Sequence, residues 1–429
     1  MNRKEFVALV QHAGMAVPEG VAPWLIGADP RAGGELLSRG FLADAAARAG
    51  LNGQRLAALV KALEVIEGDA RLLSLSLALR DDAHAAVIGQ RACDFERPEP
   101  ACLSGFPREA YALLFALACL EQGLKALAAR GIPQEDYEAV CRRMADKQLR
   151  LYQQTGSAVI ADYPWDMNFY ACGIFFHDRL YFVPYRWPGP AVYRRHADGN
   201  TLMLWPAGSR VRRDGQLDGV NGVKDSQAFT TTWVEDARTL TAHPVNPVGV
   251  ILPVARTLQK TEWSLALREG ELLLAAHIPG GEGYTPGRWK SSMEQAQAFF
   301  DRWFPELQTR GFWSESWLYD PSLYRLLPPD GHIMSVQQQF YNFPTMEGEE
   351  MARLEVFGDS HQDLANVPVQ TSLQRKLRDS LAAGEHYHTT GMIVLREDLP
   401  RFGAQPYQTR EDLNAYFKLQ EGGMAWIAR

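Results

Sequence analysis

The sequence has no surplus of positive charge. Lys and Arg total 44 against 51 Asp and Glu, a formal net charge of -7. Proteins that track nucleic acid neutralise its phosphates with clustered cations, so nucleic acid is not expected as a partner. Long apolar runs are also missing. The most apolar stretch, YALLFALACL at 111–120, stops at Glu121, well short of the roughly 20 residues a helix needs to cross a bilayer. It reads as a buried core helix, and no membrane is expected as a partner. The N-terminal MNRKEFVALVQHAG carries basic residues and a short apolar stretch broken by Gln11 and His12, with no small-residue cleavage site behind it. A signal peptide is therefore not expected. Cysteines are few and odd in number, Cys93, Cys102, Cys119, Cys141 and Cys172, and no CxxC occurs. That usage predicts a reduced, cytoplasmic protein with buried thiols rather than a disulfide framework, and no local pattern supports a catalytic cysteine. Internal repeats and low-complexity tracts are absent, as is a GxSxG elbow around Ser316 that would signal hydrolase chemistry.

What is present is ordinary in bulk: 429 residues, 46% hydrophobic and 22% charged. The length suits two or three domains with real cores. The first ~150 residues read as helical, with Leu113, Leu117, Leu120, Leu124 and Leu127 at three- and four-residue steps. A further segment opens at Pro133 and sets Tyr137, Val140 and Met144 on one face. From about residue 166 the character changes. CGIFFHDRLYFVPYRW (172–187) reads as two strands about a turn at His177–Asp178, and DGN, DG and NG at 198–222 mark turns among short strands such as TLMLW and QAFTTTWV. Strands are predicted at 271–279, 311–320, 336–343 and in TTGMIVLRED, with helices at 288–304 and 372–386. A right-handed strand–helix–strand crossover makes strands 271–277 and 312–318 parallel. The fold class is α+β: a helical domain over 1–155, a mixed α/β domain with a central mixed sheet over 166–400, and a C-terminal extension over 401–429.

Several stretches carry candidate chemistry. After the strand ending at His277-Ile278-Pro279 come Gly280, Gly281 and Gly283, then Thr285-Pro286. Thr285 suits an N-cap and Pro286 a first helical residue. The unsatisfied N–H groups of that first turn would face the glycine loop and favour an anion. Neither GxxxxGK[ST] nor GxGxxG is completed, so a phosphate cradle and a plain surface turn both remain open. RRDGQLDGVNGVKD (212–225) places Asp214, Asp218, Gly219 and Asp225 at calcium-loop offsets, but Gln216, Asn221 and the final Asp weaken it, and a turn-rich hairpin is the expectation. His386 and His388 in HYH share one face of an extended segment without a third local ligand, which favours strand-edge histidines over a metal site. In SESWLYDP, Ser314 and Ser316 share one strand face with Phe312 and Leu318; Trp313, Glu315, Trp317 and Tyr319 share the other. A strand lining a cleft and a solvated strand with packing aromatics both fit.

Taken together, HIPGG, SMEQAQAFFDRWFPE and WSESWLYDPSLYRLLPPDGHIMSVQQQF resemble the GNAT-like C-terminal domain of a bacterial family of acyltransferase-domain proteins. Those proteins place it behind a helical N-acyltransferase N-terminal domain. CGIFFHDRLYFVPYRW resembles the family's earlier paired strands, and TSLQRKLRDSLAAGEHYHTTGMIVL its closing helix and strand. The resemblance covers most of 166–396 and, more loosely, the helical half. It implies an acyl-CoA-dependent N-acyltransferase with acetyl-CoA or another acyl-CoA as cosubstrate and an amine of a small molecule as acceptor. It places the cofactor's pyrophosphate on Ile278, Gly280, Gly281, Gly283 and Thr285, and the pantetheine arm between strands 271–277 and 312–318. The superfamily loop [QR]xxGx[GA] is matched by Gly281 and Gly283, while Ile278 stands at the Gln/Arg position and His332-Ile333 replaces an Asn-Ile bend.

Acyl transfer to an amine needs a base, an oxyanion site and an acid for the leaving thiolate. His277 is the leading base, Asp320 the second, Tyr324 the acid, and Ser316 orients substrate or water. No metal is expected. The helical domain admits an acceptor pocket or a carrier-protein dock, and a homodimer is a further partner reading. Two alternatives stand beside this one: a noncatalytic GNAT-shaped module that binds a ligand or partner, and a metal-dependent hydrolase built on His386 and His388.

Overall fold

The computed structural model describes residues 3–15, 34–85, 97–361 and 363–427. Cys93 lies outside them. The chain divides into two compact units. The first comprises Met1–His177, Tyr181–Tyr185 and Ala298–Leu307; the second comprises Asp178–Leu180, Arg186–Gln297 and Gln308–Arg429.

The first unit is built from α1 (Arg3–Ala13), α2 (Arg39–Ala49), α3 (Gly53–Gly68), α4 (Ala70–Ala85), α5 (Gly105–Ala129), α6 (Glu138–Thr155) and α7 (Tyr163–Tyr170). Ser38 and Asn52 cap α2 and α3 by accepting from Phe41 and Arg55 N–H groups, which satisfies donors a helix start leaves open. The apolar stretch at 111–120 sits inside α5, which runs 25 residues and is apolar enough by length and composition to cross a membrane; two thirds of its most apolar window is buried within the protein. It packs against α3, α4 and α7, the position of a core helix that is hydrophobic nearly all round. Gly123 permits the close approach of Cys172, whose Sγ would lie 2.7 Å from an added Cβ. Cys119, Cys141 and Cys172 are buried free thiols as expected, whereas Cys102 is exposed.

A hairpin follows, β1 (Phe175–His177) and β2 (Leu180–Arg186). Asp178 makes the turn in the left-handed region at φ 55°, which Asp tolerates better than most residues. Phe175 nests among Phe299, Phe300 and Phe304 of the same unit.

The second unit holds an antiparallel sheet ordered β10-β8-β4-β3-β11, with β7 and β9 also on β8. Its strands are β3 (Ala191–Arg195), β4 (Thr201–Trp205), β7 (Trp233–Glu235), β8 (Thr239–Asn246), β9 (Val250–Ile251), β10 (Arg256–Gln259) and β11 (Trp263–Leu267), with the short pair β5 (Arg210–Val211) and β6 (Phe229–Thr230) beside it. A mixed set of strands carries the site. β12 (Leu272–His277) runs parallel to β13 (Gly311–Ser316), which pairs antiparallel with β15 (Thr390–Leu395), and β15 with β14 (Tyr341–Pro344). The expected parallel crossover is present, made by α8 (Pro286–Trp303).

Two sequence expectations are corrected. The strand predicted over 336–343 is the end of α9 (His332–Gln337) and then β14 from Tyr341. The three glutamines favour helix over strand, and Gln337 uses its amide to donate to the Asp320 carbonyl at 2.8 Å. The strand predicted over 311–320 stops at Ser316, where Trp317–Tyr319 turns as a 3-10 helix capped by the Ser316 hydroxyl. The unit is completed by α10 (Glu350–Phe357), α11 (Ser372–Ala382) and α12 (Arg410–Ile427). Thr371 and Gln374 form a capping box at α11.

Candidate active site

The β12–β13 ladder is short. It pairs Leu274 with Phe312 and Ala275 with Trp313 and ends there. β12 continues to His277 and β13 to Ser316, so the two strands part toward their C-terminal ends. β13 keeps its register with β15 as far as Ser316 opposite Thr390. The opening is therefore bordered by Ala276 and His277 on one side and Ser314–Ser316 on the other. Parallel strands that separate expose main-chain donors and acceptors along an edge, a template for an extended ligand with amide groups of its own.

The glycine loop leaves β12 at this opening. Gly281 and Gly283 adopt φ 114° and 91°, conformations that side-chain-bearing residues rarely take. Arg179, in the β1–β2 turn, lies behind the loop. Its Nε donates to the Glu282 carbonyl at 2.8 Å and its Nη2 to the Gly281 carbonyl at 3.1 Å. Its own N–H donates to Ser292 Oγ on α8 at 3.1 Å. Arg288 on the first turn of α8 pairs with Asp178 at 2.6 Å. Two loop carbonyls are thus turned toward a cation. Within 280–285 the one backbone-to-backbone hydrogen bond donated among the described residues is from Thr285 to Gly283. Thr285 Oγ1 accepts from Arg288 N at 3.4 Å, and Pro286 begins the helix. The result is a donor-rich and positively backed start to an 18-residue helix, a geometry that suits an anion such as a pyrophosphate.

His277 ends β12 beside the opening, and burial lowers its pKa to about 4. It is a neutral imidazole at neutral pH. Ser316 ends β13 and its hydroxyl accepts from Leu318 N at 3.2 Å. The other two predicted residues are engaged elsewhere. Asp320 Oδ1 accepts from Ser322 N at 2.7 Å, and Oδ2 accepts from the His388 main-chain N–H and lies 3.4 Å from His388 Nδ1. His388 Nε2 is in turn 3.1 Å from Arg212 Nη2, and Arg212 pairs with Asp214 at 3.0 Å. Tyr324 donates to Gln408 Oε1 at 2.9 Å, and burial pushes its phenol far up. The structure therefore brings His277 and Ser316 to the opening, while Asp320 belongs to a buried network with His388 and Arg212.

Three groups at the site were not singled out by the sequence. Arg179 acts across a separation of 102 and 103 residues. Tyr319, fully buried, donates to Ser314 Oγ at 3.3 Å and stands beside Tyr284 of the loop. The alternation that put Tyr319 on the opposite face from Ser314 fails because the 3-10 turn reverses it. Glu315 faces away from Ser314 into a cavity of 790 Å³ walled by strands of both sheets, among them Trp205, Trp233 and Phe343. Burial, reinforced by Glu347, raises its pKa to about 7.

Neither metal motif holds. Asp214, Asp218 and Asp225 are paired with Arg212, Arg210 and Arg213. His386 bonds Glu349 at 2.9 Å, away from the partners of His388. Among the described residues no cluster of His, Cys, Asp and Glu suits a metal ion.

Comparison with known proteins bears on the fold. Residues 203–393 match the GNAT-like C-terminal domain family, as the resemblance of HIPGG and the segments after it implies. Solved structures with the same fold include a mutant acyltransferase in complex with octanoyl-CoA, at 19% identity and TM-score 0.53, covering 91% of this chain and 99% of that one. An acyltransferase in complex with decanoyl-CoA and teicoplanin, and one in complex with CoA and 10C-teicoplanin, are each 19% identical at TM-score 0.52, with the same coverage. The expected α+β fold, helical unit first, is borne out. No curated protein matches the chain.

Proposed function

We propose that the chain is an acyl-CoA-dependent N-acyltransferase, which moves an acyl group from a CoA thioester to an amine of a small molecule. The observation that carries this is the parting of β12 from β13 beside the Arg179-backed glycine loop. The loop N–H groups from Gly280 to Gly283 and the start of α8 at Thr285 receive the pyrophosphate, and Ile278 contributes main chain where related loops carry Gln or Arg. Arg179 supplies from behind the positive charge that position 278 lacks. The pantetheine amides continue the hydrogen-bonding edge of the opened strands, which brings the thioester between His277 and Ser314–Ser316. The complexes of similarly folded acyltransferases with octanoyl-CoA and decanoyl-CoA support this donor class, and the teicoplanin complexes support a bulky small-molecule acceptor.

Within this reading the neutral His277 receives a proton or donates a hydrogen bond at the reacting carbonyl. Ser316 orients the acceptor. Tyr319, fully buried, donates to Ser314 Oγ and positions that hydroxyl at the opening, while Tyr324, the residue expected as the acid, is committed to Gln408. Asp320 is assigned to the support of the 3-10 turn.

The test is release of free CoA thiol from octanoyl-CoA on addition of amines, read by thiol titration and by the mass of the acylated product. Turnover that needs both components, and falls at least tenfold in Tyr319→Phe, is the expected result. Tight CoA binding without thiol release for any amine favours the noncatalytic module, the second reading, which the presence of Ile278 at the Gln/Arg position supports.

A further inference from the structure

Glu315 is the residue common to the β12–β13 opening and to the 790 Å³ cavity. The cavity's walls are aromatic and apolar: Trp205 on β4, Trp233 on β7, Phe343 on β14, with Leu204 and Pro190. A carboxylate in such surroundings is poorly solvated, and among the described residues no side chain or main-chain donor hydrogen-bonds the Glu315 carboxylate. The charged groups near it are Glu347, which raises its pKa, and Arg268 and Glu269 on the cavity lining. An unpaired, half-buried acid on an aromatic cavity wall is a group whose hydrogen-bonding capacity a ligand can complete.

We propose that this cavity is the acceptor site, that its ligand is a primary amine carried on a large apolar or aromatic body, and that Glu315 binds the ammonium and removes its proton. The proposal rests on the acyl-transfer reading above and names its second substrate. An acyl chain is a poorer occupant, because methylene groups packed on the carboxylate would prolong its desolvation without a partner. An ammonium gains the carboxylate, and its apolar body gains the lining of Trp205 and Trp233. Glu315 reaches about 7 through burial and Glu347, which suits a base at neutral pH. The ammonium gives one proton to Glu315. The amine nitrogen lone pair then forms the C–N bond at the thioester carbonyl, and the C–S bond breaks with its electron pair leaving on sulfur. The thiolate takes a proton, the nitrogen loses its second proton, and the products are an amide and CoA thiol.

The experiment uses tryptamine and ethanolamine as acceptors with octanoyl-CoA and acetyl-CoA as donors. The native chain, Glu315→Gln and Ala191→Phe are compared, Ala191 lying on the cavity lining. CoA affinity is measured for each by calorimetry, which tests the donor site separately. Direct tryptamine binding is measured without CoA in two buffers of different ionisation enthalpy. The expected result is tryptamine binding with proton release at pH 6, loss of that release in Glu315→Gln, and a weaker affinity in Ala191→Phe. kcat/KM for tryptamine should exceed that for ethanolamine and fall by about 10²-fold or more in Glu315→Gln, its rise with pH near 7 abolished, with CoA affinity unchanged in both variants. Tryptamine binding and turnover that ignore both substitutions overturn the proposal and leave acyl transfer standing. Ala191→Phe that excludes octanoyl-CoA but not acetyl-CoA, with the amine KM unmoved, assigns the cavity to the acyl chain and also overturns it. If CoA itself fails to bind, the donor reading fails, and the tryptamine calorimetry still decides the cavity.

Discussion

The Nε of Arg179 donates to the main-chain carbonyl of Glu282 at 2.8 Å, and this contact sets the direction of the glycine loop. A carbonyl held from behind by a guanidinium turns the neighbouring N–H groups outward. Arg179→Met should therefore weaken CoA by at least tenfold, about 1.4 kcal/mol, while the fold persists. Arg179→Lys should fall between, since an ammonium cannot reproduce the two-pronged contact. Calorimetric titration with CoA checks the order, and equal affinity in all three proteins contradicts it.

Asp320 offers a second prediction because its two readings separate cleanly. Its carboxylate accepts from Ser322 N and His388 N and is buried at 1% exposure. Asp320→Asn should lower unfolding stability by about 3 kcal/mol, since it removes the carboxylate that holds His388 and, through it, Arg212 in a buried network. CoA affinity should be unchanged. A variant of native stability that has lost turnover would restore Asp320 to the role of base.

Two half-buried groups of the second unit pull stability in opposite directions with pH. His277 stays neutral in the fold down to about 4, against 6.5 for an unperturbed imidazole. As pH falls from about 6.5 to 4 the unfolded chain binds its proton first, so this contribution to stability is lost on acidification. Glu315 holds its proton to about 7, against 4.5. Its contribution is full below 4.5 and is lost as pH rises through 7. Glu315→Gln should therefore be more stable than the native chain at pH 8, by about 1–2 kcal/mol, with the difference vanishing near pH 4.5. Urea unfolding at the two pH values checks this. A variant less stable than native at pH 8 would show that Glu315 is held by favourable contacts rather than strained by its burial.

Much of the architecture was legible because it rests on local pattern. The Leu113–Leu127 spacing lies in α5, the His177–Asp178 turn joins β1 to β2, and the parallel crossover follows from the order of strand, helix and strand. The misreadings have one cause. At 336–343 and 317–320 the chain turns to meet partners distant in sequence, Gln337 with the Asp320 carbonyl and Asp320 with His388, and periodicity does not see such contacts. The glycine loop was visible as a motif, but its brace was not, since nothing near HDR at 177–179 points a hundred residues onward. Glu315 was visible only as a charge on an aromatic strand face. Its significance lies in the cavity, whose far wall comes from β4 and β7.

The central claim is that the loop between β12 and α8 holds the pyrophosphate of a CoA thioester. Its most direct measurement is calorimetric titration of the native chain, of Gly281→Ala and of Gly281→Asp with CoA and octanoyl-CoA. Gly281 sits at φ 114° with open space around an added Cβ, so Gly281→Ala carries the backbone strain alone and Gly281→Asp adds to it a carboxylate that would repel the anion. The account predicts micromolar binding of both ligands to the native chain and its loss in Gly281→Asp beyond any in Gly281→Ala, with both variants folded by circular dichroism. Absence of binding to the folded native chain, or equal affinity in Gly281→Asp and Gly281→Ala, would contradict it.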